Sequence, residues 1–167
     1  MRFFLAGIMQ GSQLAAVLHN QDYRGRLRSL LMQRFPDCEV YDPLANHGQS
    51  LAYDSDTARS VFYQHNRMCR EVDVVIAFVP EASMGTAIEM WEAHEHGRAL
   101  VLTISPLEHN WAIKFCSHAV FLVQTQRKVK KLGLLFADQA GQRDRGPHVR
   151  HRVVGSFMCQ AIGGTQV

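Results

Sequence analysis

Hydrophobic and polar positions alternate along this chain in blocks that read strand, helix, strand. Phe3-Phe4-Leu5-Ala6-Gly7 is a short apolar run followed by a polar turn, the pattern of a first strand. Over residues 13–35, Leu14, Val17, Leu18, Leu27, Leu30, Leu31 and Phe35 recur mostly at helical spacing, with Arg24, Arg26, Arg28 and Arg34 largely between them, which predicts a helix. Pro36 and Asp37 stop it, residues 38–41 make a brief second strand, and Asp42-Pro43 opens a polar loop through Asn46, His47, Gly48 and Gln49. A helix is expected over 55–71. Residues 73–79 form a continuous apolar strand of the kind buried on both faces of a parallel sheet, ended by Pro80. A helix over 85–96 closed by Gly97, a strand over 99–104, a short helix over 110–117 and a strand over 119–123 complete the series. This alternation predicts an α/β fold, a Rossmann-like or flavodoxin-like doubly wound sheet of about five parallel strands. In that architecture ligands sit beyond the carboxyl ends of the strands.

The length of 167 residues suits one domain, with 1–123 as the α/β body and 124–167 as a C-terminal helix and basic tail. Residues 1–123 carry 10 Lys/Arg against 13 Asp/Glu, whereas 124–167 carry 8 against 2, so the formal charge of +3 hides a mildly acidic body and a basic end. Basic runs without interleaved aromatics are common in solvated tails, so nucleic-acid contact is unsupported. No apolar run approaches the ~20 residues of a membrane span, and polar residues enter too early after Met1 for a signal peptide. Cys38, Cys69, Cys116 and Cys159 lie far apart with no C-x-x-C pair, which fits a reducing cytoplasm.

The informative segment is Ser83-Met84-Gly85-Thr86-Ala87-Ile88-Glu89, between a buried strand and a helix. Such a junction presents free backbone N–H groups and the positive end of the helix dipole to a ligand. Gly85 lets a ligand approach the backbone closely. Ser83 can cap the helix or donate to a ribose or phosphate oxygen, and Glu89 falls in the first turns, where a carboxylate could act as nucleophile at an anomeric carbon. Taken singly, a Ser before a helix reads as a plain cap and a Glu in its first turns as a solvated residue.

Taken together, the strand ending Phe4-Leu5-Ala6-Gly7, the strand over 73–79, the motif Ser83-x-Gly85-Thr86-x-x-Glu89 and the strand over 99–104 behind Gly97-Arg98 resemble the nucleoside 2-deoxyribosyltransferase family. That family includes the 2'-deoxynucleoside 5'-phosphate N-hydrolases and CMP hydrolases. The resemblance covers about residues 3 to 123. It implies an oligomeric Rossmann-like subunit, a homodimer or larger, acting on a nucleoside or nucleotide without a metal or organic cofactor. Glu89 would attack C1' and expel the base, and the glycosyl-enzyme would be resolved by another base or by water. The family's acidic partner about eight positions before Asp73 is here His65, with Asn66 beside it. Either His65 protonates the leaving base or a loop acid, Asp42, Asp54 or Asp56, does so.

Ser83, where the transferases carry Asp, tilts the resemblance toward a 5'-monophosphate. Asn110 points the other way, resembling the transferase Asn that reaches the 5' end of a neighbouring subunit's ligand. After the first strand Gly7, Gln10, Ser12 and backbone amides are the available substrate contacts, with Asp42 and Thr86 flanking the crevice. Gly7-x-x-x-Gly11 is not a dinucleotide fingerprint, and no phosphate-binding G-x-x-x-x-G-K-[ST] occurs. His94-x-His96 lacks metal-ligand spacing. Trp91, Trp111, Met84 and Phe78 read as packing residues. The alternative from another class is a non-catalytic nucleotide-binding module that keeps the crevice without proton delivery. A receiver-like domain would need Asp clustered at strand ends with a Lys after the last strand, and no clear match appears.

Overall fold

The computed structural model describes residues 1–9 and 18–122. Gln10 and Ser12, and the segment 124–167, lie outside the described residues. The element order is β1 (Arg2–Gly7), α1 (Asp22–Arg34), β2 (Glu39–Tyr41), α2 (Pro43–Asn46), a 3-10 turn (Ser50–Ala52), α3 (Ser55–Glu71), β3 (Val74–Phe78), α4 (Met84–Glu95), β4 (Leu100–Ser105), α5 (Trp111–Cys116) and β5 (Ala119–Leu122). The five strands form one sheet in the order β2-β1-β3-β4-β5, and every pair is parallel. This is the flavodoxin-like order expected from the sequence. Its topological switch point lies between β1 and β3.

Alternation along the strands sorts the core into two layers. Phe3 and Leu5 of β1 and Val74 and Ile76 of β3 face Tyr23, Leu27 and Leu31 of α1. Phe4 and Ala6, with Val75 and Ala77, face Cys69 of α3, Met90 and Ala93 of α4 and Ile113 of α5. Period-two alternation in strands that are apolar throughout is what two covered faces require. No described helix is long and apolar enough to cross a membrane.

Two expectations change. Residues 18–21 are not helical and α1 begins at Asp22, which breaks the helix expected over 13–35, whose first residues, 13–17, lie outside the described residues. Asn20 Oδ1 accepts from the Asp22 N–H, and Gln21 Nε2 donates to the carbonyls of Ile8 and His19, so local side-chain bonds replace a helical turn there. The polar loop after β2 holds a short helix instead, because Asp42 Oδ1 accepts from the Leu44 N–H as an N-cap and Pro43 takes the first helical position.

Candidate functional site

The chemistry-bearing residues gather at the carboxyl ends of β1, β2 and β3, beside the switch point. Glu89 stands in the first half of α4, on the flank that faces α3: Glu92, three residues on, meets Arg70 of α3 at 2.6 Å, and buried Cys69 of α3 lies in the field of both carboxylates. Only partly exposed, Glu89 carries a carboxyl that burial pushes up to about 8, with the nearby Arg24 guanidinium pulling the other way.

Arg24 itself is buried, 2 % exposed, although its position between Tyr23 and Leu27 reads as a polar face. Its Nη1 donates to the Leu5 carbonyl at 2.8 Å and to Asp42 Oδ1 at 3.1 Å, its Nη2 to the Gly7 carbonyl at 3.1 Å, and its Nε to Gln21 Oε1 at 2.7 Å. The guanidinium thus knots the ends of β1 and β2 to the start of α1. Asp42 is committed to this knot and to capping α2, and is 7 % exposed. Of the other loop acids, Asp54 caps α3, and its hydrogen bonds from Thr57 hold its carboxyl below the usual value. Asp56 is exposed and paired with Arg59.

His65 sits in a chain of rings over the end of β2. Tyr41 Oη lies 3.2 Å from His65 Nε2, the His65 and His47 ring centroids are 5.2 Å apart, and His47 Nδ1 lies 3.0 Å from Tyr53 Oη. Burial, then the neighbouring His47 and Arg24, push the His65 imidazole down to about 4. It is therefore neutral at pH 7.

Ser83 is the N-cap of α4. Its Oγ accepts from the Thr86 hydroxyl at 3.0 Å and, over a longer 3.4 Å, from the Thr86 N–H, which leaves its own proton free to donate. Thr86 is buried and serves this cap. A Cβ at Gly85 would meet nothing within 4 Å, so the space before this turn is open. Asn110 caps α5 through Oδ1, accepting from Ala112 and Ile113 and leaving its amide N–H groups unused by the cap. Ser83 and Asn110 line one apolar cleft of about 360 Å³ with Met84, Ala87, Met90 and Ile113. Glu89 is two residues, about 200° of helix, from Ala87. The cleft and the carboxyl of Glu89 are on different flanks of α4.

Set beside solved structures, the chain matches 2-deoxyribosyltransferase from Bacillus psychrosaccharolyticus with a TM-score of 0.54, at 16% identity, over 80% of this chain and 90% of that one. The fold is that of a 2-deoxyribosyltransferase. A second match is the CMP N-glycosidase BcmB of Clostridium botulinum, at 19% identity and a TM-score of 0.46, over 80% of this chain and 98% of that one. No protein-family model and no curated protein matches the sequence.

Within this 2-deoxyribosyltransferase fold, Gly7 ends β1 at the switch point, Asp42 and His65 lie at the end of neighbouring β2, Ser83, Gly85 and Thr86 start α4, Glu89 stands further along that helix, and Asn110 shares the cleft with Ser83. Tyr23, Arg24, Tyr41, His47 and Tyr53 were not singled out as site residues by the sequence. The one available signal was an Asp directly after a strand together with an Arg in the first turn of the preceding helix, since a buried acid needs a cation. Among the described residues no group of three or more His, Cys, Asp or Glu could hold a metal ion.

Proposed function

We propose that this protein cleaves or transfers the N-glycosidic bond of a nucleoside or nucleoside 5'-monophosphate, with Glu89 as the nucleophile. The observation that carries the reading is the carboxyl of Glu89: half-buried beside the switch point of a fold shared with a 2-deoxyribosyltransferase, on a helix whose first turn opens to a free space at Gly85. Its carboxylate attacks C1' from one face as the base departs from the other, forming a glycosyl ester that water or a second base resolves. With a pKa of about 8, Glu89 is largely protonated at pH 7. His65, being neutral, acts as a hydrogen-bond partner of the leaving base and not as an imidazolium acid. The Ser83 hydroxyl and the Asn110 amide supply donors for substrate oxygens. Because α4 separates Asn110 from Glu89 of its own chain, we assign Asn110 to the site of a neighbouring copy in a homo-oligomer.

A non-catalytic nucleotide-binding module is the second reading, favoured by the weak basicity of His65 where proton delivery is expected. A chromatographic assay separates the two. Purified protein is incubated with ribo- and deoxyribonucleosides and their 5'-monophosphates, with and without an acceptor base, beside Glu89→Gln. Free base without an acceptor, lost in the variant, is the hydrolase outcome, and sugar transfer that needs a base is the transferase outcome. Binding with no turnover of any substrate sinks the enzyme reading.

A further inference from the structure

Position 7, at the carboxyl end of β1, has no side chain of its own, and a side chain from another element stands in the space. Gly7 is buried, and a Cβ there would stand 2.2 Å from Tyr23 Oη and 3.1 Å from both Tyr23 Cζ and the Phe78 carbonyl oxygen. Only glycine at position 7 admits the phenol of α1 to this strand end. The Tyr23 ring is fixed by Phe78, at 4.3 Å between centroids, and the residue is 6 % exposed.

The proton of the hydroxyl so delivered has no acceptor among the described residues, and the Arg24 guanidinium beside it can only donate to the phenol oxygen. Neighbouring Arg24, whose guanidinium carbon is 5.2 Å from the ring centroid, commits four of its N–H groups to Gln21, Leu5, Asp42 and Gly7. A buried hydroxyl proton left unpaired is destabilising, and native proteins keep few of them, so each calls for an explanation. The charges that reach Tyr23 are those of the crevice. Burial, with the Asp42 and Glu89 carboxylates, pushes the phenol up to about 12 against the pull of Arg24, so it stays a neutral donor at physiological pH.

We propose that the Tyr23 hydroxyl, brought to the end of β1 through the space that Gly7 leaves, is a specificity-determining contact for a sugar hydroxyl of the substrate. The assignment rests on the nucleoside reading above. If C1' is presented to Glu89, whose field reaches Tyr23, the 2' and 3' hydroxyls are the sugar groups able to accept from a phenol whose proton is unpaired at the end of β1.

The test is Tyr23→Phe, which keeps the ring and its packing on Phe78, made in wild-type protein for melting and in Glu89→Gln protein for binding. Calorimetry then compares ribo, 2'-deoxy and 3'-deoxy forms of whichever nucleoside or 5'-monophosphate binds. Expected are an unliganded melting temperature equal to or above that of the parent, and an affinity about tenfold weaker for the sugar bearing the contacted hydroxyl. For the deoxy form that lacks that hydroxyl, variant and parent should bind alike. A lowered unliganded melting temperature overturns the proposal, because the hydroxyl then has a partner inside the protein. So does a sugar series bound identically by parent and variant, or weakened equally for all three sugars. If the parent binds no nucleoside or nucleotide at all, the activity reading falls and takes this one with it, whereas parent and variant binding alike removes the Tyr23 assignment alone.

Discussion

Arg24 Nη1 lies 3.1 Å from Asp42 Oδ1, and the two side chains are 3 % and 9 % exposed, so a fully desolvated ion pair ties α1 to the end of β2. Removing one member strands the other. Arg24→Leu is expected to lower unfolding stability by about 3–5 kcal/mol in urea titration, leaving Asp42 buried without its cation. Arg24→Leu combined with Asp42→Asn, which keeps the cap acceptor, should recover part of that loss. Two losses that simply add would show the pair to be uncoupled.

The raised pKa of Glu89 sets the pH dependence of the proposed reaction. The nucleophile must be ionised, so kcat/KM of the free enzyme is expected to rise with pH and level off above about 8. Glu89→Gln should reduce turnover more than about a thousandfold and abolish any mass-shifted adduct with a 2'-fluoro substrate analogue. A profile that falls between pH 6 and 8 contradicts the nucleophile role.

Stability should run the opposite way. Folded Glu89 holds its proton to about 8 while the unfolded chain releases it near 4.5, so between those values the folded state binds more protons and stability falls as pH rises. The sensitivity is on the order of 1.4 kcal/mol for each unit of displacement. Melting temperatures of wild type and Glu89→Gln measured from pH 5 to 9 should diverge, with the wild type losing ground toward the alkaline end.

For His65 the displacement is downward, to about 4, and part of it comes from His47. Replacing that neighbour by His47→Asn is expected to move the His65 ring-proton titration upward toward the ordinary histidine value, read by proton NMR. Burial is the larger cause, so the midpoint should remain below 6.5. An unmoved midpoint would show that the two rings do not sense one another.

Much of the fold was legible because its strands are apolar on both faces: 73–79 and 99–104 can only be buried, and β3 and β4 fall within a residue of those bounds. The start of α1 was not legible, since Leu14, Val17 and Leu18 continue the helical spacing while Asn20 and Gln21 turn their side chains onto nearby backbone groups. Ser83 and Glu89 stood out because a strand-to-helix junction is local. Arg24 did not, because a charge within a helical pattern counts as surface until its partner, here 18 residues away, is placed. The Tyr41, His65, His47 and Tyr53 rings come from a strand, a helix and two connecting segments, and no spacing in the sequence anticipates their meeting.

Helix α4 carries Glu89 on one flank and the cleft of Ser83, Ala87 and Met90 on the other. A rigid rod shared in this way lets natural variation reshape the walls of the cleft while the opposite azimuth, with its carboxyl and its bridge from Glu92 to Arg70, stays under separate constraint. A change in the cleft wall beside Asn110 is then expected to leave the Glu89 carboxyl behind the helix undisturbed.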